Sequence, residues 1–248
     1  MIMPKGFFIT GTDTGVGKTV ITAALIKAAG AVGIRACGMK PIETGCKRTR
    51  GRGKAAGRAG KNESLIPSDG MFLKKIAGMA DSIELITPVC FENPLSPLAA
   101  SKIEKKRIDS AKIKKSFARL ARNYDAVIVE GIGGLLVPIR RGYFILDLAR
   151  DLGLPLIIVS RPGLGTLNHS MLTVNYALKE GLTVAGIIIN YSHIPERDLA
   201  EKTNPEVIKQ LSPVPLIGIF PHLRDLESTT IEKAAAKNLD MDIIKKHL

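Results

Sequence analysis

Near the amino terminus stands the stretch Gly11-Thr12-Asp13-Thr14-Gly15-Val16-Gly17-Lys18-Thr19, between an apolar run at residues 7–9 and an Ala-, Ile- and Leu-rich segment at residues 20–29. A strand, a glycine-rich turn and a helix in that order are typical of a phosphate-binding loop. The backbone N–H groups of such a turn and the positive end of the helix dipole converge on an anion. The stretch predicts a nucleoside triphosphate site in which Lys18 reaches the outer phosphates and Thr19 holds Mg²⁺.

One position departs from the usual loop pattern. The first glycine is expected at position 12, where this chain has Thr12, and Gly11 comes one residue earlier. The alternative is a glycine-rich turn with a solvated lysine. The agreement in register of the strand, the glycines, the Gly-Lys-Thr triplet and the helix favours the nucleotide site.

The composition predicts one large domain spanning residues 1–248. A chain of 248 residues with 45% hydrophobic residues can bury a substantial core. The first apolar run begins almost at the amino terminus, and no apolar run is long enough to cross a bilayer, so neither a signal peptide nor a membrane span is expected. The three cysteines have no paired metal-binding spacing. We therefore expect a cytoplasmic protein.

The net charge of +13 raises the alternative of a nucleic-acid partner. Much of that charge lies in two segments. One, at residues 46–62, is rich in Gly and Ala and predicts a basic flexible loop. The other, at residues 102–122, places lysines opposite apolar residues at helical spacing, as on a solvated helix face. Aromatic residues are not interleaved in either, as base stacking would require. We predict no nucleic-acid partner and attribute the charge to attraction of anionic substrates.

Six apolar runs bounded by turn residues recur along the chain, at residues 7–10, 34–39, 126–129, 154–160, 184–190 and 216–220. Several lack strict alternation, as in strands buried on both faces of a parallel sheet. Segments of helical length separate them, including 110–123 and 167–180. The pattern predicts an α/β fold of the P-loop nucleoside triphosphatase type, a doubly wound, mostly parallel sheet flanked by helices. Every candidate motif follows one of these runs, which places them all beyond the carboxyl ends of the strands.

The run at 126–129 ends in Glu130, where nucleotide enzymes place an acidic group on the metal side. The glycines that follow would let the backbone approach a ligand. Alternatively, Glu130 simply ends a strand before a flexible turn. Lys40 follows the run at 34–39 and either meets an anionic substrate or is a surface lysine. Asp69 is by itself a helix cap or turn residue.

Three later segments also end or follow strands at this edge of the sheet. Asn190 and residues 221–223 are placed to form a base pocket, although His222 taken by itself is better explained as a loop histidine, because nothing near it indicates metal or nucleophile chemistry. The turn at residues 163–169 leads into a helix whose free N–H groups could hold a carboxylate. Asn168 and His169 could instead be capping and packing groups.

Taken together, these motifs resemble the dethiobiotin synthetases, ATP-dependent enzymes of biotin synthesis. The resemblance extends from residue 7 to about residue 223. The phosphate loop is widely shared, but the combination is specific. The matching segments are Thr10 to Thr19, Lys40-Pro41-Ile42-Glu43-Thr44-Gly45, Val129-Glu130-Gly131-Ile132-Gly133-Gly134, Leu164-Gly165-Thr166-Leu167-Asn168-His169 and Gly186-Ile187-Ile188-Ile189-Asn190. The basic segment at 46–62 departs from the family pattern in its length and charge.

The resemblance implies a role for each matching residue. Catalysis would involve Lys40, Lys18 and Thr14, and the metal ligands for Mg²⁺ would be Thr19, Asp69 and Glu130. Substrate contacts would be Thr44, Leu164, Gly165 and Asn168. The residues implied to bind ATP are Gly15, Val16, Gly17, Lys18, Thr19, Val20, Asp69, Glu130, Gly131, Ile132, Gly133, Asn190, Pro221, His222 and Leu223.

The resemblance also implies the reaction. Diaminopelargonic acid would be carboxylated by CO₂ and cyclised at the expense of ATP, through a carbamate and a carbamic-phosphoric anhydride. A homodimer is implied, with the turn at 164–169 of one subunit near the substrate of the other. The competing hypothesis is an ATP-driven switch similar to the partitioning ATPases. Those proteins carry an additional lysine where this chain has Asp13, and an Asp-rich metal strand where it has Glu130.

Overall fold

The structure is a computed structural model that describes residues 5–49 and 64–248. Twelve strands and ten helices lie within those residues. The strands are β1 (Gly6–Gly11), β2 (Ala36–Met39), β3 (Ile42–Thr44), β4 (Lys47–Arg48), β5 (Leu65–Ile66), β6 (Val89–Phe91), β7 (Ala126–Glu130), β8 (Pro138–Arg140), β9 (Tyr143–Phe144), β10 (Leu156–Ser160), β11 (Val184–Asn190) and β12 (Leu216–Phe220). The helices are α1 (Lys18–Ala31), α2 (Ser68–Ala77), α3 (Ile83–Ile86), α4 (Pro97–Ile103), α5 (Ser110–Asn123), α6 (Ile145–Leu152), α7 (Thr166–Lys179), α8 (Leu199–Leu211), α9 (Ser228–Asn238) and α10 (Met241–Lys245).

The central sheet has six parallel strands in the order β12-β11-β10-β1-β7-β2. Each of them coincides with one of the six apolar runs, so the predicted parallel α/β architecture is confirmed. Two runs start earlier than the strands they contain, because loop residues 34–35 and 154–155 precede the hydrogen-bonded ladder. β1 lies inside the sheet between β10 and β7, which places its phosphate loop in the middle of the carboxyl edge.

Two apolar clusters cover the two faces of this sheet. Successive strand residues point to opposite faces, so Phe8 joins one cluster while Phe7 and Ile9 join the other. Helices α1, α2, α9 and α10 contribute to the cluster around Phe7, whereas α4 to α8 contribute to the cluster around Phe8. Burial on both faces explains why the strand sequences lack polar alternation.

Three small two-stranded sheets accompany the central one: β3 pairs with β6 in parallel, and β4–β5 and β8–β9 are antiparallel. The prediction of a flexible basic loop at residues 46–62 is wrong for the first residues of that segment. Cys46 is buried, and Lys47–Arg48 pairs with Leu65–Ile66. This antiparallel pairing fixes the first residues of the predicted loop against β5. Residues 50–62 of the predicted loop lie outside the described part of the chain.

The second basic segment contains α5, which has the bounds predicted from its periodicity. Ile113, Phe117 and Leu120 of this helix are buried, and its lysines lie on the other face. Its charge is therefore that of a solvated helix face. Of the helices in residues 5–49 and 64–248, none combines the length and apolar character needed to cross a membrane.

Candidate active site

The phosphate loop is anchored to both neighbours of β1. Gly11 N donates to Gly133 O at 3.2 Å, on the segment after β7, and Thr12 N donates to Val159 O at 3.0 Å, on β10. The loop thus leaves the sheet from a fixed position and returns at Gly17, which precedes α1 in a left-handed conformation (φ 85°). Val20 lies in the first turn of that helix. The predicted strand, loop and helix are all present.

Asn190, at the end of β11, holds the loop from the side. Its Nδ2 donates to Val16 O at 2.8 Å, and the residue is buried. A Cβ added to Gly17 would lie 2.1 Å from the same Nδ2 atom. The absence of a side chain at Gly17 therefore lets Asn190 reach the loop backbone.

Lys18 is buried beneath the loop, and its Nζ donates to Asp13 O at 3.1 Å. Burial, together with the neighbouring Lys40 charge, lowers the pKa of Lys18 to about 8. A poorly solvated ammonium next to a second cation is prepared to receive an anion, because an anion would offset both unfavourable contributions.

A buried ion cluster lies next to Lys18. Lys40 follows β2, and its Nζ lies 2.5 Å from Glu130 Oε1 and 3.0 Å from Asp69 Oδ2. It also donates to Gly131 O at 3.3 Å. Burial alone would lower the pKa of Lys40, but the charges of Glu130 and Asp69 outweigh it and raise that pKa above the ordinary lysine value. Lys40 is therefore a cation at neutral pH.

Oxygen ligands face the same space. Glu130 Oε1 accepts from Thr19 Oγ1 at 2.9 Å, whereas its Oε2 is buried and has no hydrogen-bond partner among the described residues. Asp69 lies in the first turn of α2. The described residues contain no cluster of three or more His, Cys, Asp or Glu suited to a metal ion. Two carboxylates and a hydroxyl form a sparser, oxygen-only set, as expected for Mg²⁺ that also binds phosphates and water.

These groups line a cavity of about 280 Å³ at the carboxyl edge of the sheet. It brings together residues from the loop, from β2–β3, from α2 and from the end of β7. The lining residues are Thr14, Gly15, Gly17, Lys18, Thr19, Lys40, Glu43, Thr44, Asp69, Glu130, Ile132 and Gly133. Most of the residues for which the motifs and the family resemblance imply a role in catalysis, phosphate binding or metal binding are among them.

Other predicted residues lie elsewhere on the edge. Asn190 pairs in register with Phe220, so residues 221–223 follow directly beside it. By contrast, Leu164, Gly165 and Asn168 are exposed at the start of α7 and do not line this cavity. The three of them therefore do not meet Lys40 within one chain.

Two features were missed by the sequence analysis. Glu43 was quoted in a motif without a role, yet it is buried and accepts three hydrogen bonds from the start of α2. Burial raises the pKa of Glu43, and the N–H groups of Gly70 and Asp69 act against that rise. Arg161, after β10, pairs with Asp13 of the phosphate loop. An acidic residue inside a short apolar stretch was the available signal for Glu43.

Comparison with known proteins finds relatives along nearly the whole chain. A family model described as an AAA domain matches residues 5–230. The ATP-dependent dethiobiotin synthetase BioD of Thermodesulfovibrio yellowstonii is 45% identical over 98% of this chain and 99% of its own length. The protein of the same name from Bacillus subtilis (strain 168) is 38% identical over 97% of each chain.

Solved structures with a similar fold are more distant in sequence. The cell division ATPase MinD of Pyrococcus furiosus has a TM-score of 0.53 and 17% identity, covering 97% of this chain and 99% of its own. A ParA family ATPase from Chlorobium tepidum has a TM-score of 0.51 and 15% identity, covering 98% of each chain. At such identities the likeness establishes the P-loop fold and no more.

Proposed function

The chain belongs to the family of ATP-dependent dethiobiotin synthetases, and we propose that it makes dethiobiotin from diaminopelargonic acid, CO₂ and ATP in biotin biosynthesis. In this proposal residues 1–248 form one synthetase domain, a ligase that forms C–N bonds. One observation carries the proposal: Lys18 and Lys40 share a cavity with Thr19, Asp69 and Glu130. Phosphoryl transfer needs positioned cations and metal ligands of this kind.

ATP would bind with its phosphates in the loop. Backbone N–H groups of Gly15 to Val20 are candidates for the phosphate oxygens, because the helix dipole adds positive potential there. Lys18 would exchange its contact with Asp13 O for a phosphate oxygen. Asn190 and residues 221–223 would hold the adenine. The amide of Asn190 also supports the loop through Val16 O, which would couple base and phosphate binding.

The residues present suit Mg²⁺, and we propose Thr19, Asp69 and Glu130 as its ligands. The buried Glu130 Oε2, which no described residue contacts by a hydrogen bond, supports this assignment, since such an oxygen is costly unless a cation or donor accompanies it. When bound, the ion would neutralise charge on the outer phosphates of ATP. Lys40, paired with two of these carboxylates, limits the mutual repulsion of the acidic groups.

Lys40 would act as a fixed cation beside the diamine. Its raised pKa makes it unsuitable as a base at neutral pH but suits it to two electrostatic roles. It favours the neutral, nucleophilic form of a nearby amine, and it stabilises the carbamate anion that forms when that amine adds to CO₂ and loses a proton. Thr44, on the same cavity, would contact the substrate.

The remaining steps use the same arrangement. A carbamate oxygen attacks the γ-phosphorus of ATP and ADP departs, which gives a carbamic-phosphoric anhydride. Lys18 would stabilise the charge that develops during this transfer, with Thr14 at the loop contributing a further polar contact. The second amine then attacks the activated carbonyl carbon, phosphate leaves, the attacking nitrogen loses a proton, and the ring closes.

The proposal includes a homodimer, in which residues at the start of α7 contact the substrate. Leu164, Gly165 and Asn168 are exposed and lie outside the cavity of their own chain. In the proposal they serve the substrate bound to the other subunit, where the amino terminus of α7 would face its carboxylate. A single chain would then carry an incomplete site.

Phosphate release from ATP in bicarbonate buffer, with and without the diamine, tests this function. A synthetase should release phosphate only when the diamine is present and form dethiobiotin in equal amount. Diamine-independent release would support the ATP-driven switch instead. The absence of dethiobiotin by mass spectrometry would refute the proposal.

A further inference from the structure

Glu43 is a buried carboxylate that the proposed reaction does not use. It lies on β3, three residues after Lys40, and only 3% of it is exposed. It is among the residues that line the cavity. Burying a carboxylate costs free energy unless its oxygens accept hydrogen bonds. The contacts of Glu43 therefore indicate its structural role.

Both carboxylate oxygens of Glu43 are engaged by the first turn of α2. Oε1 accepts from Ser68 Oγ at 3.2 Å and from Asp69 N at 3.0 Å. Oε2 accepts from Gly70 N at 3.0 Å. The residue before the helix, Pro67, has no side-chain capping hydrogen bond. Glu43 therefore supplies the cap from a different element of the chain.

This arrangement sets the position of the helix start. A Cβ on Gly70 would lie 2.0 Å from Thr87 Oγ1, so α2 begins in close contact with the segment before β6. β3 is in turn paired with β6 in register. The first turn of α2 is thus held by Glu43 on one strand and packed next to the other.

The residue fixed by these contacts is Asp69. Its backbone N–H donates to Glu43, while its carboxylate extends to within 3.0 Å of Lys40 Nζ. A Ser or Thr at position 67 could cap α2 without burying a charge, but it would not tie the helix to β3. The cap supplied by Glu43 therefore links Asp69 to β3, the strand that also contains Thr44.

We propose that Glu43 is a positioning residue for the magnesium site, holding Asp69 where its carboxylate can bind the ion together with Thr19 and Glu130. This inference rests on the proposed function, because it presumes that site. In this inference Glu43 is neither a ligand of the metal nor a contact of the substrate. Its effect passes through the first turn of α2.

The test measures metal binding without turnover. Mn²⁺, used in place of Mg²⁺, is titrated by electron paramagnetic resonance in the presence of saturating ADP. For Glu43→Ala we expect the Mn²⁺ dissociation constant to rise about 10- to 100-fold, the range typical for residues that orient metal ligands. For Glu43→Gln, which keeps one acceptor oxygen, a smaller rise is expected. ADP affinity in EDTA should change by less than about twofold in both.

Asp109→Ala is the matched control. Asp109 caps α5 through the backbone N–H groups of Ala111 and Lys112, at 2.9 and 3.1 Å, and does not line the cavity. Loss of that cap should lower the melting temperature and leave Mn²⁺ binding unchanged.

The outcomes separate the inference from the proposed function. If the unaltered protein binds no Mn²⁺ with ADP, the metal site proposed above is refuted, and the inference with it. If the unaltered protein binds Mn²⁺ and both Glu43 variants bind it equally well, the inference alone is overturned. If Asp109→Ala weakens Mn²⁺ binding as much as the Glu43 variants do, the inference is also overturned, because a general loss of stability would then explain the weaker binding. Should Glu43→Ala not fold, Glu43→Gln decides by the same criterion.

Discussion

Lys40 Nζ lies 2.5 Å from Glu130 Oε1, although the two residues are 90 positions apart in the chain. Their strands, β2 and β7, are neighbours in the sheet, with Met39 opposite Val129. Both side chains therefore leave the carboxyl edge at the same place. Both are almost fully buried, so each is the principal counter-charge of the other, with Asp69 as the second partner of Lys40.

Lys40→Ala should separate stability from substrate use. Removal of one partner of a buried pair leaves Glu130 uncompensated, and we expect the free energy of unfolding to fall by about 3 kcal/mol. Chemical denaturation measures this loss. The kcat/KM for the diamine should fall more than the affinity for ATP.

The double variant Lys40→Ala/Glu130→Gln provides the control for that experiment. It removes the uncompensated charge, so it should regain part of the lost stability without regaining activity. Equal loss of diamine use and ATP binding in Lys40→Ala would indicate a damaged fold and argue against a catalytic role.

Lys18→Gln should lower turnover by about 100-fold or more, the scale of losing a donor to the transition state. Steady-state kinetics with saturating ATP measures the effect. Lys27→Gln is the matched control on the same helix, because Lys27 pairs with Glu232 at 3.1 Å and lies outside the cavity. Turnover that is unchanged in Lys18→Gln would remove Lys18 from the mechanism.

ADP affinity should depend on pH through Lys18. The pKa of Lys18 in the free protein is lowered to about 8, so the ammonium is present below that pH and is lost above it. The phosphates prefer the ammonium, and the dissociation constant should rise by up to about 10-fold per pH unit above 8. Calorimetry between pH 7.5 and 9.5 measures this. In Lys18→Gln the profile should be flat, and an equally steep profile would rule out Lys18 as its origin.

Gly17→Ala should destabilise the protein more than Gly15→Ala. Both glycines have positive φ, 85° and 73°, so an alanine at either site costs about 1 kcal/mol in backbone strain. A Cβ at Gly17 would also meet Asn190 Nδ2 at 2.1 Å, whereas one at Gly15 would meet no atom of the described residues within 4 Å. We expect a further loss of about 1–3 kcal/mol for Gly17→Ala. Chemical denaturation measures both free energies of unfolding. Equal losses in the two variants would show that the Asn190 side chain moves away from the new Cβ without cost, and would contradict the prediction.

The central sheet was predictable because its signal is local. Each of the six strands contains a predominantly apolar run, and residues buried on both faces leave no polar alternation to confuse the pattern. The small strands were not predicted. β3 and β6 have three residues each, and their pairing depends on how the chain returns after β2 rather than on their own sequences.

The site was predictable in part for the same reason. The phosphate loop and Lys40 each follow a recognisable strand and Glu130 ends one, and parallel strands bring their carboxyl ends to one edge. Asp69 was selected through a family resemblance alone. Its place depends on Glu43, a contact across 26 residues that spans the segment outside the described residues.

The amino-acid sequence by itself determined the phosphate loop, the six strands and the edge on which the functional groups lie, because these follow from residue type and periodicity over short stretches. The tertiary structure alone decided the ion cluster around Lys40, the hold of Asn190 on the loop and the capping of α2 by Glu43. Each of these joins residues far apart in the chain. Their distances are set by which strands become neighbours and how helices pack against them, and no local pattern encodes that.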